Sequence, residues 1–409
     1  MSTTERLYYA DSHLLEFEAR VVSVSKTVDG RAAVSLDRTA FYPTGGGQPT
    51  DTGTLGGARV VECVDEEGGG VLHVCEGELP AEGALIEGRV DWPRRLDHIQ
   101  QHTGQHILSQ SFVELYGAQT RSFRMTEDAC ELDVELRDSS DERVERAVRR
   151  ANEIVWGDRP VRVHLVTAEE AARMPLRKDS ARAGELRVIE IEGFDFSPCG
   201  GTHAHSTGEV GCVVARQWER AKGLVRVTFA AGVRALEDYA RANRTARATA
   251  ALFSVGRDEG AEAAARLQEE NKHLQRRLRA AEELAARAEA RELYDEAVSS
   301  EEDKNRPVVI ARAFGGRDAE SLRRLASALA AHARAVALLG SAEGGAARLV
   351  FARAPDVAVD MNALMREASR TLGGRGGGRP DMAQGGGQQV ERLTEALDAA
   401  AAGARGECR

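Results

Sequence analysis

The 409-residue sequence lacks the features that mark membrane and secreted proteins. It has no run of about 18 apolar residues, and its N-terminus has no basic stretch followed by an apolar one, so neither a membrane span nor export is expected. The six cysteines lie far apart, without the dense spacing of a secreted disulfide scaffold, which favours a reducing compartment. We therefore expect a cytoplasmic protein with no membrane partner.

The chain also lacks an excess of basic residues. It has 55 Lys and Arg residues against 65 Asp and Glu residues, which gives a formal net charge of −10. This mild acidic excess argues against a protein that coats nucleic acid indiscriminately, although it leaves room for a local basic face. The length is sufficient for two or three domains, each with a sizeable core.

Two pairs of potential metal ligands are the strongest signals in the sequence. His102 and His106 are four residues apart in a segment with helical apolar spacing, so both imidazoles project from one face. Cys199 and His203 flank Gly-Gly-Thr, which favours a tight loop. Imidazole nitrogen with thiolate sulfur is a typical zinc donor set, and the four residues predict one zinc site. The alternative is that the histidines are structural, whereas a metalloprotease is disfavoured because no glutamate lies between the two histidines.

Residues 1–92 consist of short, valine-rich segments separated by turn residues, which predicts a small β barrel or a meander. Within this region three successive glycines, Gly45, Gly46 and Gly47, lie between Thr44 and Gln48. Their backbone N–H groups could approach a ligand closely, but no Gly-Lys-Ser/Thr follows, so the stretch is not a nucleotide P-loop. We predict a binding loop, with a tight surface turn as the alternative.

Three further regions follow, and the fold class predicted for the chain is α+β. Residues 93–234 alternate helix and strand, which predicts an α+β domain around the zinc site. Residues 235–300 are rich in Ala, Glu and Arg, and Leu267 and Leu274 are seven residues apart, which indicates a long helix or helical hairpin with coiled-coil pairing within or between chains. Residues 301–409 predict a C-terminal α/β domain. Its glycine-rich stretch, residues 373–387, is either a flexible linker or an anion-binding loop.

Three motifs together resemble those of alanyl-tRNA editing proteins of the AlaX type and of the editing domain of alanyl-tRNA synthetase. They are Phe41-Tyr42-Pro43-Thr44-Gly45-Gly46-Gly47-Gln48 with Asp51 and Gly53, His102-Thr103-x-x-His106, and Cys199-Gly200-Gly201-Thr202-His203. Residues 373–387 resemble the DHH-associated C-terminal domain shared by that synthetase and the long AlaX form. No class II aminoacylation core precedes residue 1, so we expect a free-standing editing protein.

The resemblance implies hydrolysis of alanine tRNA that is mischarged with serine, with glycine as a further candidate. It implies one Zn²⁺ per chain and tRNA as the partner. ATP binding is expected from family likeness alone. If the protein forms a homodimer, we expect the helical segment or the C-terminal domain to form the interface. Arg124 stands where a histidine is expected in many relatives, at a contact with the tRNA 3′ end. The implied site residues are the zinc ligands His102, His106, Cys199 and His203, the catalytic residues Thr44 and Gln48, and the substrate-binding residues Gly45, Gly46, Gly47 and Arg124.

An aminoacyl ester is already activated, so an editing enzyme need only place water, polarise the carbonyl and stabilise the oxyanion. Four protein ligands fill a tetrahedral zinc sphere, so either the metal becomes five-coordinate or it binds the substrate amine while the glycine loop positions water. Both routes stay open. Two other functions also remain: a threonyl-type editing domain, from which the 45–48 loop would not be expected, and a non-catalytic, zinc-stabilised RNA-binding protein.

Overall fold

The computed structural model describes residues 3–177, 185–301, 303 and 306–406. Two compact units divide the chain, Met1–Thr249 and Ala250–Arg409. Within the described ranges no helix is long and apolar enough to cross a bilayer. Cys408, one of the six cysteines, lies outside the described residues.

The described helices, in chain order, are α1 Trp92–Tyr116, α2 Asp141–Trp156, α3 Ala168–Ala171, α4 Gly232–Leu252, α5 Gly260–Ser299, α6 Ala319–Leu329, α7 Met361–Thr371 and α8 Leu393–Gly406. The strands are β1 Glu5–Arg6, β2 Glu16–Lys26, β3 Ala32–Leu36, β4 Arg38–Thr39, β5 Gly53–Leu55, β6 Ala58–Asp65, β7 Val71–Glu76, β8 Leu85–Val90, β9 Thr120–Met125, β10 Cys130–Val134, β11 Val161–Val166, β12 Leu186–Ile191, β13 Asp195–Pro198, β14 Val213–Ala221, β15 Leu224–Ala231, β16 Val308–Gly315, β17 Ala335–Glu343, β18 Ala346–Arg353, β19 Arg375–Gly378 and β20 Met382–Gly387.

The first unit begins with a closed barrel of six strands in the order β2-β3-β7-β6-β5-β8. Alternate residues of these strands point inward, so Val21, Val34 and Val60 are buried in one apolar core. The ring of Phe17 on β2 lies over Gly88 of the neighbouring strand β8. A Cβ atom at position 88 would overlap this ring, so the position requires glycine. The predicted barrel is thereby confirmed, although the short strand β5 was not predicted.

Helix α1 is the central element of the rest of this unit. Pro93 lies in its first turn and Gly117 ends it with φ of 65°, both common positions for these residues. Nearly every residue from His98 to Phe112 is buried, because α1 packs against α2 and the sheet β14-β15-β10-β9. The antiparallel sheet β11-β12-β13 carries the loop that meets α1 at the candidate site.

The second unit contains the five-stranded sheet β16-β17-β18-β20-β19, packed against α6, α7 and α8. Its glycine-rich stretch is neither a linker nor a loop, so both conformations expected for residues 373–387 were wrong, while anion binding there stays a prediction. Residues 375–378 and 382–387 form paired strands at the sheet edge. Side chains on Gly376 and Gly385 would overlap the hydroxyl of Ser369 on α7, so these glycines allow helix and sheet to approach closely.

The predicted helical region forms α4 and α5, with a single 3₁₀ turn, Arg257–Glu259, between them. The C-terminal part of α5 packs in the core of the second unit through Ala290. Leu267 and Leu274 are exposed, so coiled-coil pairing of this segment stays a prediction. The division into domains at residues 92, 234 and 300 also stays a prediction.

Candidate metal centre

Helix α1 and the loop after β13 bring the four predicted ligands together. His102 and His106 lie one turn apart on α1, and Cys199 and His203 follow β13, with one ligand atom of each within 4.8 Å of the others. Cys199 Sγ is 3.3 Å from the Nε2 atoms of His102 and His203. Tetrahedral zinc places nitrogen and sulfur ligands roughly 3.5 Å apart, so the spacing fits a four-coordinate ion.

A buried partner holds each histidine ring by its Nδ1 atom. This arrangement leaves the opposite nitrogen, Nε2, available to a metal, as is usual for metal-bound histidines. The three contacts are His102 Nδ1 to Gln48 Oε1 at 2.7 Å, His106 Nδ1 to Asp195 Oδ2 at 3.3 Å, and His203 Nδ1 to Thr103 Oγ1 at 3.2 Å. The rings are therefore oriented by the protein itself.

The pKa values of Cys199 and His203 are shifted in the directions that favour metal binding, whereas that of His106 is shifted in the opposite direction. Burial would raise the pKa of the Cys199 thiol, but the His102 and His203 imidazoles outweigh that effect and hold it well below its usual value. Burial lowers the pKa of His203 to about 3. For His106, burial acts to lower the pKa, while its hydrogen bonds to Asp195 and Cys199 produce a net rise. The directions for Cys199 and His203 favour a thiolate and a neutral imidazole, which are the forms that bind a cation.

Glycine in the Cys199 loop is required by close packing. A Cβ on Gly201 would overlap the ring of His102 and lie 3.0 Å from Gln48 Oε1. The N–H of Gly201 donates to Cys199 Sγ at 3.4 Å. The buried Arg187 donates to the carbonyls of Cys199 and Gly201, at 2.8 and 2.9 Å. The loop is therefore fixed from both sides, which explains the adjacent glycines of the motif.

The glycine-rich stretch of the barrel is a tight turn that ends in the metal centre. Gly46 and Gly47 have φ of 57° and 84°, and paired backbone hydrogen bonds between Gly45 and Gln48 close the turn. Positive φ at both central positions is typical of a type I′ turn and favours glycine. A Cβ on Gly47 would lie 2.7 Å from the Phe123 carbonyl oxygen, so the turn is also pressed against β9.

The predicted substrate residues differ in their position. Gln48 is buried within the centre, whereas Thr44 is exposed and its hydroxyl makes no hydrogen bond to any described residue. The Arg124 side chain is 68% exposed and pairs with Glu131 at 3.3 Å across the sheet. Its neighbour Phe123 faces the centre instead, with its ring centroid 5.6 Å from that of His102. The structure thus brings Gln48 to the ligands and leaves Thr44 and Arg124 at the surface.

Sequence reasoning missed the residues that support the ligands. Asp195 lies four positions before Cys199 and binds both His106 and Arg177, the latter through Nε at 3.2 Å. Thr103 follows a predicted ligand directly but was not singled out. The signal that could have found them is chemical: metal-bound histidines commonly have an oxygen acceptor behind the ring. No spacing rule selects which acceptor it is.

Comparison with known families defines the class to which this site belongs. Residues 186–228 match the family model described as the threonyl and alanyl tRNA synthetase second additional domain. Residues 305–405 match the DHHA1 domain. The ligands Cys199 and His203 lie within the first match, so this half of the candidate centre belongs to a domain class found in those synthetases.

Full-length relatives narrow the assignment. The chain is 36% identical over 398 residues to an alanine–tRNA ligase of Pyrobaculum neutrophilum, covering 93% of this chain and 42% of the ligase. It is 39% identical over 240 residues to the alanyl-tRNA editing protein AlaX-L of Pyrococcus horikoshii, covering 57% of this chain and 59% of that protein. A solved structure, the C-Ala domain from Aquifex aeolicus alanyl-tRNA synthetase, shares 26% identity with a TM-score of 0.24, over 26% of this chain and 99% of that domain.

The chain is therefore related to alanyl-tRNA editing proteins of the AlaX type and to the matching part of alanine–tRNA ligases, and it carries a DHHA1 domain. It spans less than half the length of the matched ligases and 59% of the AlaX-L protein.

Proposed function

We propose that the protein hydrolyses the aminoacyl ester of mischarged alanine tRNA, with seryl-tRNA as the main substrate and glycyl-tRNA as a second one. One zinc ion per chain would be held by His102, His106, Cys199 and His203. The observation that carries the proposal is the cluster of one cysteine and three histidines, with each ring already oriented through Nδ1. Its occurrence in a chain related to AlaX-type editing proteins supports the choice of substrate.

A zinc ion bound there would supply a Lewis acid next to the ester. Gln48 keeps His102 in position, and both polar atoms of its amide have partners: Nε2 donates to Thr202 Oγ1 at 2.9 Å, while Oε1 contacts His102 Nδ1 and accepts from the Thr202 N–H. This arrangement supports a positioning role for Gln48 over direct action on the substrate. The Phe123 ring lies beside that of His102, with 5.6 Å between the ring centroids, and would limit the access of bulk water from that side.

The exposed turn beside the centre is the proposed contact for the substrate. No described residue accepts a hydrogen bond from the N–H groups of Gly46 and Gly47. The free hydroxyl of Thr44 is adjacent in sequence to this turn. Two N–H donors and a hydroxyl can together bind a carbonyl oxygen and a serine side chain, since the hydroxyl both donates and accepts.

The relationship to these editing proteins also supports tRNA as the partner and the cytoplasm as the location. The second unit, which contains the DHHA1 match, is proposed to bind tRNA away from the ester. The exposed leucines of α5, Leu267 and Leu274, support a homodimer through this helix. Arg124 is exposed on β9, one residue from Phe123, and is proposed to contact the tRNA backbone.

Deacylation of purified seryl-tRNA(Ala), with and without a chelator, tests the proposed function. We expect hydrolysis that falls to the background rate after zinc is removed and returns when zinc is restored, because the ligands alone provide no Lewis acid. Alanyl-tRNA(Ala) and seryl-tRNA(Thr) serve as competing substrates, and substrate with chelator alone is the control. Binding of tRNA without hydrolysis would instead indicate a zinc-stabilised RNA-binding protein. Faster hydrolysis of seryl-tRNA(Thr) than of seryl-tRNA(Ala) would indicate a threonyl-type editing domain.

Replacement of Thr44 by valine should reduce the preference for seryl- over alanyl-tRNA. A site that hydrogen-bonds a substrate hydroxyl rejects the analogue that lacks it, and loss of one such bond is worth about 1–3 kcal/mol, or roughly 5- to 150-fold in the rate ratio. The measurement is the ratio of the two deacylation rates. The control is Thr54→Val, at an exposed threonine on β5. If Thr44→Val leaves the ratio unchanged, Thr44 does not discriminate.

A further inference from the structure

A second group of potential metal ligands lies at the surface of the first unit. Asp11 and His13 precede β2, and His205 lies in the loop that follows His203. Each of the three offers one ligand atom, and these atoms lie within 4.8 Å of one another. The proposed editing chemistry uses none of the three.

The distances around the Asp11 carboxylate suit a metal ion. Its Oδ1 atom is 3.0 Å from His205 Nε2 and 3.9 Å from His13 Nδ1. Oxygen and nitrogen ligands of a tetrahedral ion lie roughly 3.4 Å apart, so small side-chain shifts would bring all three to coordination distance. The His13 and His205 rings already lie against each other, with centroids 3.8 Å apart and planes inclined by 31°.

Glu209 contacts one ring nitrogen of His13, and metal-bound histidines commonly have a carboxylate in this position. Its Oε2 atom is 2.8 Å from His13 Nε2, and its Oε1 atom accepts from the backbone N–H of His205 at 3.2 Å. The other ring nitrogen of His13, Nδ1, is buried and has no hydrogen-bond partner among the described residues. A carboxylate on one ring nitrogen and an unpartnered second nitrogen are the arrangement expected of a ligand histidine.

From this geometry we propose that Asp11, His13 and His205 form a second divalent-cation site for a transition metal such as zinc. Imidazole and carboxylate donors without sulfur suit zinc, cobalt and nickel ions. Three protein ligands leave a position for water. The His205 and Asp11 side chains are 58% and 50% exposed, so water competes for the ion more effectively than at the buried centre. The second site therefore binds its ion more weakly than the first.

The second site is connected to the first through the backbone. Ser12, between Asp11 and His13, accepts a hydrogen bond from the His203 N–H at 3.0 Å, and only Ala204 separates His203 from His205. An ion bound at the second site would link the segment that contains Ser12 to the loop that carries His203. Because such an ion binds the folded state, it should also raise the melting temperature.

Zinc titration of the full-length protein, with the first site already filled, tests the proposal. Calorimetry with metal analysis after equilibrium dialysis should show uptake of a second equivalent, so that stoichiometry rises from about one ion per chain to about two. His13→Ala and His205→Gln should each remove the second equivalent and the accompanying rise in melting temperature. His205 is the more exposed of the two, so its variant remains informative if His13→Ala folds poorly.

Two further variants test whether the second equivalent binds at these three residues and independently of the first centre. His164→Ala is the matched control, because His164 forms a similar pair with Glu190 at 2.7 Å but belongs to no ligand group within the described ranges. It should keep the second equivalent. Cys199→Ser, which damages the first centre, should still bind an ion at the second site, so failure of the proposed function does not affect this test. Saturation of the wild type at one ion, or a second equivalent that survives both His13→Ala and His205→Gln, overturns the proposal.

Discussion

The Cys199→Ser variant is expected to retain almost no tightly bound zinc, against about one ion per chain in the wild type after dialysis has removed weakly held metal. Deacylation of seryl-tRNA(Ala) should fall by at least about 100-fold. The physical reason is that the serine hydroxyl, which replaces the thiolate, stays protonated. The ion therefore loses the one anionic ligand among the four proposed. Metal analysis and single-turnover kinetics on the same preparation measure both effects.

Three other substitutions provide comparisons for the effect of Cys199→Ser on zinc content and deacylation. His106→Ala should have the same effect as Cys199→Ser, because it also removes a ligand. Asp195→Asn keeps all four ligands but weakens the support of His106, so metal affinity should fall by about 10- to 100-fold. Cys212→Ser changes an exposed free cysteine outside the centre and should have no effect. Unchanged zinc content in both Cys199→Ser and His106→Ala would eliminate this centre as the metal site.

The two pairs of candidate ligands were accessible from the sequence because the geometry within each pair is local. Two histidines four apart on a helix share a face whatever else the chain does, and paired glycines signal a tight loop. The contacts of the rings were not accessible, although Gln48 itself was named as a site residue, because Gln48 meets His102 across 54 positions of sequence and Asp195 meets His106 across 89. Such contacts depend on how the barrel, α1 and β13 pack together, and no local pattern records that packing.

The same distinction applies to the fold. Short valine-rich segments between turn residues predicted the barrel strands other than β5, because valine is favoured on the half-buried surface of a strand. The strands at 375–378 and 382–387 were mistaken for a loop or linker, since glycine has a low intrinsic preference for strands. Tertiary contact overrides that preference here: Gly376 and Gly385 leave the space that Ser369 of α7 occupies. A glycine pattern alone does not distinguish flexibility from close packing.

A buried ion pair joins the barrel loop of the AlaX motif to the start of α1. Arg95 and Asp51 are both fully buried, and the Arg95 Nε atom lies 3.1 Å from Asp51 Oδ2. Arg95 also donates to the carbonyl oxygens of Ser12 and Ala40, each at 2.6 Å. The Tyr42 N–H donates to Asp51 at 2.7 Å, so Asp51 also fixes the segment that leads into the glycine turn. The pair therefore connects the turn to the helix that carries His102 and His106.

Replacement of Arg95 by methionine should lower the unfolding free energy of the first unit by about 3–5 kcal/mol. The substitution leaves the Asp51 carboxylate buried without its counter-ion and two carbonyl groups without their donor, and an uncompensated buried charge is far more costly than a lost surface pair. Chemical denaturation followed by circular dichroism on the full-length chain measures the change. The matched control is Arg89→Met, because Arg89 pairs with Glu16 while 73% exposed and should lose at most about 1 kcal/mol. A loss at Arg95 no greater than that at Arg89 would show that the buried pair does not hold the turn against α1.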